Sequence, residues 1–255
     1  MKIYVCVKPV PDSAANITII EDKRIDEQVT FLLNPYDENA IAEAVKIKNQ
    51  IENSEIIAIS VGNSQITETL RSALAMGADR AIHIETTDNP DSSIIAKALH
   101  KTILKDGMPD LVLMGKESID SEGMQTMFRL AANLEIPVAN NVFTLEIENR
   151  TALVQCGQGN GNYEKIKMDL PCVIGASKAL NKPKYPTLPQ IIQSKKKFIE
   201  CVNVNSLVSK APESQMTILN LKPIPENRKC LELEGSIDQK VEKLFNILKN
   251  EAKVI

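Results

Sequence analysis

The chain reads as an α/β protein, a doubly wound and mostly parallel sheet with an antiparallel extension and a C-terminal arm. Three observations predict this. Through the first half, short apolar β-branched runs alternate with helical stretches of ordinary length, the signature of right-handed crossovers onto a parallel sheet. Past Pro137 the alternation stops, and strand-like runs follow one another with only turns between them. After Lys197 no strong period returns until one last amphipathic helix.

In order, Lys2 to Val7 is a buried first strand, bounded by the stiff loop Lys8-Pro9-Val10-Pro11-Asp12. Thr18 to Ile25 predicts a short edge hairpin. Asn34-Pro35-Tyr36-Asp37 opens a helix, with Asn34 as N-cap, Pro35 at the first helical position and Asp37 as its box partner. Ile41, Ala44, Val45 and Lys48 form one stripe of it. Glu55 to Val61 is the second strand, ending at Gly62-Asn63. Gln65 to Met76 is the next helix, and Gly77 its C-cap. Arg80 to Glu85 is a strand, Ser92 to Lys105 a helix, Asp110 to Met114 a strand followed by Gly115, and Gly123 to Leu134 a helix.

The extension comprises Asn141 to Glu148, Ala152 to Cys156, Tyr163 to Met168 and Cys172 to Ala176. Gly157, Gly159 and Gly161 lie between two of these runs and not before a helix, so they read as a hairpin rather than a dinucleotide fingerprint. In the stretch from Asn181 to Lys197, Pro183, Pro186 and Pro189 fix φ and remove donors, so its first half is neither helix nor central strand. Leu188 is expected on a stiff, extended segment. Two readings stand for this stretch: a Pro-rich linker with a solvated charge run, or a docking loop with an apolar anchor and basic neighbours. The chain divides into a nucleotide-fold domain over 1–200 and an arm over 201–255, whose final helix is capped by Ser236 and carries Val241, Leu244, Phe245 and Leu248 on one face.

With 255 residues the chain can bury a sizeable core. A net charge of −3 gives no push toward nucleic acid. No apolar run approaches the ~20 residues needed to cross a bilayer, so direct membrane insertion is not expected. The start is too short and strand-like for a secretory signal. Five scattered cysteines without a C-x-x-C pair argue against a metal site or a disulfide framework and for a reducing cytoplasm. His83 and His100 sit in a strand and a helix and read as structural or solvated. No P-loop, no Ser/His/Asp or Cys/His set and no carboxylate pair is visible, which speaks against an independent hydrolase or acid–base enzyme.

In a Rossmann-like open parallel sheet, ligands bind beyond the strands' carboxyl ends, where the strand order switches. The loops there are Val7 to Asp12, Val61-Gly62-Asn63 and Gly115 to Thr126. In the last, Ser121, Gly123, Gln125 and Thr126 offer small side chains and N–H groups at a helix start, which suit a phosphate. Asp120 and Glu122 count against an anion, so the phosphate site stays open on these residues alone. Asp37 and Glu38 complement their own helix dipole, so ribose or adenine contacts are expected at the Asn34 loop.

Over essentially its full length the chain resembles the β subunit of electron transfer flavoprotein. The resemblance rests on Val5-Cys-Val-Lys8, Asn34-Pro35, Leu74-Ala-Met-Gly-Ala-Asp-Arg80, Gly115-Lys116 with Ile119-Asp120, Gln125-Thr126, and Tyr-Pro-Thr-Leu-Pro followed by Lys-Lys-Lys. It implies an electron carrier without catalytic residues of its own. It also implies a heterodimer with an α subunit that holds FAD, AMP as a structural ligand in β, and an arm wrapping α. By resemblance the nucleotide contacts fall on Cys6, on Asn34, Pro35, Tyr36 and Asp37, and on Val61. They continue over Gly115, Lys116, Glu117, Ser118, Ile119, Asp120, Ser121, Glu122, Gly123, Met124, Gln125 and Thr126. Tyr185, Leu188, Pro189, Ile191, Lys195, Lys196 and Lys197 look like a recognition loop for acyl-CoA dehydrogenases or similar flavoenzymes, with an ETF-quinone oxidoreductase type acceptor downstream. The sequence departs from the family at Lys184, where Arg is usual, and at Gln193, where many members have Lys. Met127 replaces a frequent Gly and is expected to narrow the phosphate pocket. Ser13 stands where single-flavin members often have Tyr, which keeps a bifurcating type, with FAD in β and NADH as donor, beside the plain carrier. A stand-alone adenine-nucleotide sensor leaves the Pro-rich stretch and the tail unexplained.

Overall fold

Lys2–Cys6 (β1) shows how the sheet sorts its side chains. Successive residues of a strand point to opposite faces. Ile3, Val5 and Val7 enter one apolar cluster, and Tyr4 and Cys6 enter the other. A computed structural model describes residues 1–26, 28–86, 90–207, 214, 216–223 and 230–254.

After β1 come β2 (Pro9–Pro11), β3 (Ile19–Ile20), β4 (Arg24–Ile25), β5 (Phe31–Leu33) and α1 (Pro35–Gln50). The alternating part continues with β6 (Glu55–Gly62), α2 (Ile66–Met76), β7 (Arg80–Glu85), α3 (Ser92–Asp106), β8 (Leu111–Gly115) and α4 (Gln125–Leu134). Next come β9 (Val138–Glu148), β10 (Thr151–Gly159), β11 (Asn162–Asp169) and β12 (Cys172–Ala176), then α5 (Leu188–Ser194), β13 (Ile199–Asn203) and α6 (Ile237–Asn246). Contrary to the sequence expectation, β12 is not part of the antiparallel extension but runs parallel between β8 and β9.

The main sheet runs β11-β10-β9-β12-β8-β1-β6-β7-β13. Pairings from β9–β12 through to β7–β13 are parallel, and β9–β10–β11 is antiparallel. Ile41 and Ala44 of α1 and Leu70, Ala73 and Leu74 of α2 pack on one face, whereas Ala96, Leu99 and Ile103 of α3 and Leu130 and Ala131 of α4 pack on the other. The fold is therefore doubly wound. The chain leaves β1 toward β6 on one side and returns to β8 on the other, so the switch in strand order lies between β1 and β8.

Several sequence expectations need correction. Leu188 is not on an extended segment: it is the first residue of α5, with Thr187 at the N-cap and Pro189 in the first turn, where its missing N–H costs nothing. The sheet also continues past residue 200, because Ile199–Asn203 pairs in parallel with β7 and forms the edge. The Thr18 to Ile25 hairpin forms as β3 and β4, but as its own two-stranded sheet, and β2 with β5 makes another.

At the amino ends of the strands a polar network ties the layers together. The fully buried Tyr4 donates its hydroxyl to Asp106, which also receives Arg80 Nη2 at 2.7 Å. Arg80 Nε reaches Glu55 at 2.8 Å, so one guanidinium joins β7, β6 and the end of α3.

A second compact unit comprises Ile19–Arg24 and the chain from Asn220 onward. Within it Leu221 N donates to Asp22 O at 2.6 Å. A capping box of Ser236 and Gln239 starts α6, which passes into a wider π-type turn at Ile247–Glu251. No residue of α6 is buried, and Ile237, Val241, Leu244 and Phe245 are exposed. Among the described residues no helix is long and apolar enough to cross a membrane.

Candidate functional site at the strand switch

The carboxyl ends of β1 and β8 meet over the start of α1, and Asp37 is the residue that joins them. It is buried, and its carboxylate accepts from Lys8 N at 2.8 Å, Gly115 N at 3.0 Å and Asn34 Nδ2 at 3.0 Å. Burial pushes its carboxyl up to about 7, against the three N–H donors, which favour the ionised form. Asn34 is bonded just as fully. Its amide nitrogen also donates to Glu117 O at 2.9 Å, and its oxygen accepts from Ile119 N at 3.3 Å. Asn34 thus occupies the N-cap position without making a side-chain cap bond, and Asp37 is not its box partner. Both side chains are spent on bracing the loop over 115–124. A Cβ at Gly115 would lie 2.4 Å from Asp37 Oδ1, so only glycine lets β8 end this close to α1.

Of the two acids that counted against an anion, Asp120 is neutralised by Lys8. Lys8 Nζ lies 2.7 Å from both oxygens of Asp120 and 3.3 Å from Ser118 Oγ, and Ser118 Oγ is 2.8 Å from Ser121 Oγ. Lys116 pairs with Glu117 at 2.7 Å. The loop then rises through Glu122 and Met124, both with positive φ, into α4. Met124 offers no side-chain cap, so the first N–H groups of α4 have no acceptor within their own helix. Met127, early in α4, is buried, its thioether packed beside Gly175.

Tyr36 stands at the rim, with Lys116 Nζ 5.1 Å and Lys178 Nζ 5.2 Å from its ring centre. Cys6 lies beneath the site. Burial, reinforced by the Asp37 carboxylate, pushes its thiol far up, so it is held protonated and is no nucleophile. Beside it Val61 ends β6, where His83 Nε2 donates to Gly62 O at 3.0 Å. Cys6, Asn34 to Asp37, Val61 and the 115–126 loop thus share one end of the sheet. Lys8, which the sequence placed in the Val7 to Asp12 loop without a role, is the counter-ion of Asp120.

Tyr185, Leu188, Pro189, Ile191, Lys195 and Lys196 lie apart from this group, on the connection from β12 to β13, and all are exposed. Lys197 differs. Its Nζ turns inward to the carbonyls of Leu74, at 3.0 Å, and Ala78, capping the end of α2.

Fold and loops together define a doubly wound α/β protein with the loop after β8 braced over its strand switch. A family model described as electron transfer flavoprotein domain matches residues 23–207. The chain is 34% identical over 260 residues to electron transfer flavoprotein subunit beta of Bacillus subtilis, covering 100% of both chains. It is 38% identical over 259 residues to the mitochondrial subunit beta of Arabidopsis thaliana, again covering 100% of both. To the mouse subunit beta it is 34% identical, covering 93% of this chain and 94% of the other. The chain belongs to the electron transfer flavoprotein β-subunit family, a family of electron carriers.

Proposed function

We propose that this chain is the β subunit of a heterodimeric electron carrier, that it binds AMP at the strand switch, and that its α partner carries the FAD. The observation that supports this most is the braced loop over 115–126, held open by Asn34 and Asp37 and leading into the uncapped start of α4. The donor set suits a nucleoside monophosphate. The N–H groups of 125 and 126 meet the phosphate, with the Ser121 hydroxyl beside them, while Lys8 offsets Asp120. Pro35, Tyr36, Cys6 and Val61 line the place for adenine and ribose. Since the side chains of Asn34 and Asp37 are already bonded, they shape this place more than they touch its ligand.

Bound FAD supplies the redox chemistry, and this chain supplies the surface against which it is presented. Electrons pass from acyl-CoA dehydrogenases or related flavoenzymes toward a quinone-reducing acceptor. Leu188, exposed at the start of α5, is the docking anchor, with Lys195 and Lys196 as its basic flank. Five free cysteines suit a reducing cytoplasm.

The test is to co-purify the α–β complex, denature it and count what is released. One FAD and one AMP per complex is the expected result. Two FAD and no AMP makes the strand switch a second flavin site and the complex a bifurcating one. Release of neither nucleotide overturns the assignment.

A further inference from the structure

We propose that Asn181 is a positioning residue of the docking loop: bound to Asn39 and Glu43 of α1, it holds Leu188 in the orientation its partner requires. This rests on the docking role proposed above for Leu188.

The loop is fastened at both ends. At its start, Asn39 Nδ2 donates to Asn181 O at 2.9 Å and to Asn181 Oδ1 at 3.1 Å. In return, Asn181 Nδ2 donates to Asn39 O at 3.0 Å and to Glu43 Oε2 at 2.9 Å. Both amide hydrogens of Asn181 are therefore used, and its oxygen is paired. Glu43 is fully buried, and its other oxygen takes the Lys46 ammonium at 2.7 Å. Replacing Asn181 strands one oxygen of that buried carboxylate, so the arrangement is specific to an amide. At the far end, Arg71 Nη1 of α2 donates to Ser194 O at 2.6 Å and Lys197 O at 2.7 Å.

The span between has little freedom to lose. Three prolines fix φ within it, and Thr187 N donates to Gln190 Oε1 at 2.7 Å where α5 begins. A segment ordered before binding does not have to be ordered by binding, and affinity rises accordingly. Because Asn181 touches no partner in this scheme, it acts only through Leu188.

The test uses the α–β complex with a purified acyl-CoA dehydrogenase as electron donor. Asn181→Ala is expected to speed amide hydrogen exchange over 182–193 by about tenfold or more. It should raise the half-saturating concentration between carrier and dehydrogenase about tenfold with turnover at saturation unchanged. Asn181→Ala combined with Leu188→Ala should lose no more than Leu188→Ala alone, since residues acting as one unit are not additive. Asn39→Ala, which leaves Asn181 in place, should give the same pattern to a smaller degree and serves if Asn181→Ala does not fold. Unchanged exchange, or losses that add to those of Leu188→Ala, overturn the positioning role. A Leu188→Ala complex with unchanged half-saturation sinks the docking reading itself, which separates the two failures.

Discussion

Asp37 concentrates the chemistry of the strand switch in one side chain. A buried carboxylate between two strand ends and a helix start is costly, and three N–H donors offset part of that cost. Its pKa near 7 when folded stands above the ordinary value of 3.8. The folded chain therefore holds this proton more tightly, so the group's contribution to stability is complete below about 4 and is lost as pH rises through 7. Asp37→Asn removes the titration. Urea denaturation at pH 5 and pH 8 should find wild type losing roughly 2–3 kcal/mol relative to the variant as pH rises. The Asn amide, facing N–H donors, adds a constant penalty that offsets the two curves without changing their slopes. A pH-independent difference would rule out this account of Asp37.

Elements show why the sequence was legible where it was. The alternating strands and helices from Lys2 to Leu134 carry their apolar period on their own residues, so reading them needed no partner. β13 does not. Ile199-Glu-Cys-Val-Asn203 has two charged or amide side chains in five residues, and its strand character comes from the free edge of β7. α5 hid behind its prolines, because Pro189 excludes a helix interior but fits a first turn. At the site, the loops were readable from topology, but the roles of Asn34 and Asp37 were not. Cap and crosslink use the same residue types, and only the register of β1 against β8 decides between them. The network at the amino ends of the strands is likewise a property of packed elements. Burial alone raises the Asp106 carboxyl, but hydrogen bonds from Arg80, Tyr4 and Lys2 outweigh it and hold it at about 2. Its contribution to stability is thus present above about 4 and is lost as pH falls through 2. Arg80→Met should cost about 1–2 kcal/mol at pH 7 in urea denaturation, a figure already reduced for the partial exposure of the pair. Nucleotide stoichiometry should stay the same, because the network sits at the end of the sheet opposite the site. Loss of nucleotide at unchanged stability would contradict this division of labour.

For the whole molecule the contrast is between a unit with its own core and a helix that buries nothing. The sheet with its helices buries two apolar layers. The unit from Asn220 onward is different in kind. Its helix α6 is strongly one-sided yet buries none of its residues, and Ile237 and Val241 are more than half exposed. An apolar face of that sort needs a cover, and the α subunit is the cover proposed for it. Truncation before Ser206 leaves β13 in place, so the remaining β subunit should still unfold in one cooperative step, followed by circular dichroism. Its affinity for the α subunit, read by co-purification and by titration in analytical ultracentrifugation, should fall at least tenfold. Each Leu or Phe side chain removed from a covered face is worth on the order of 2 kcal/mol, so losing Leu244 and Phe245 together exceeds that threshold. A truncated chain that binds α as tightly as the full chain would show that the heterodimer is held by the sheet unit alone, and would leave α6 without its proposed role.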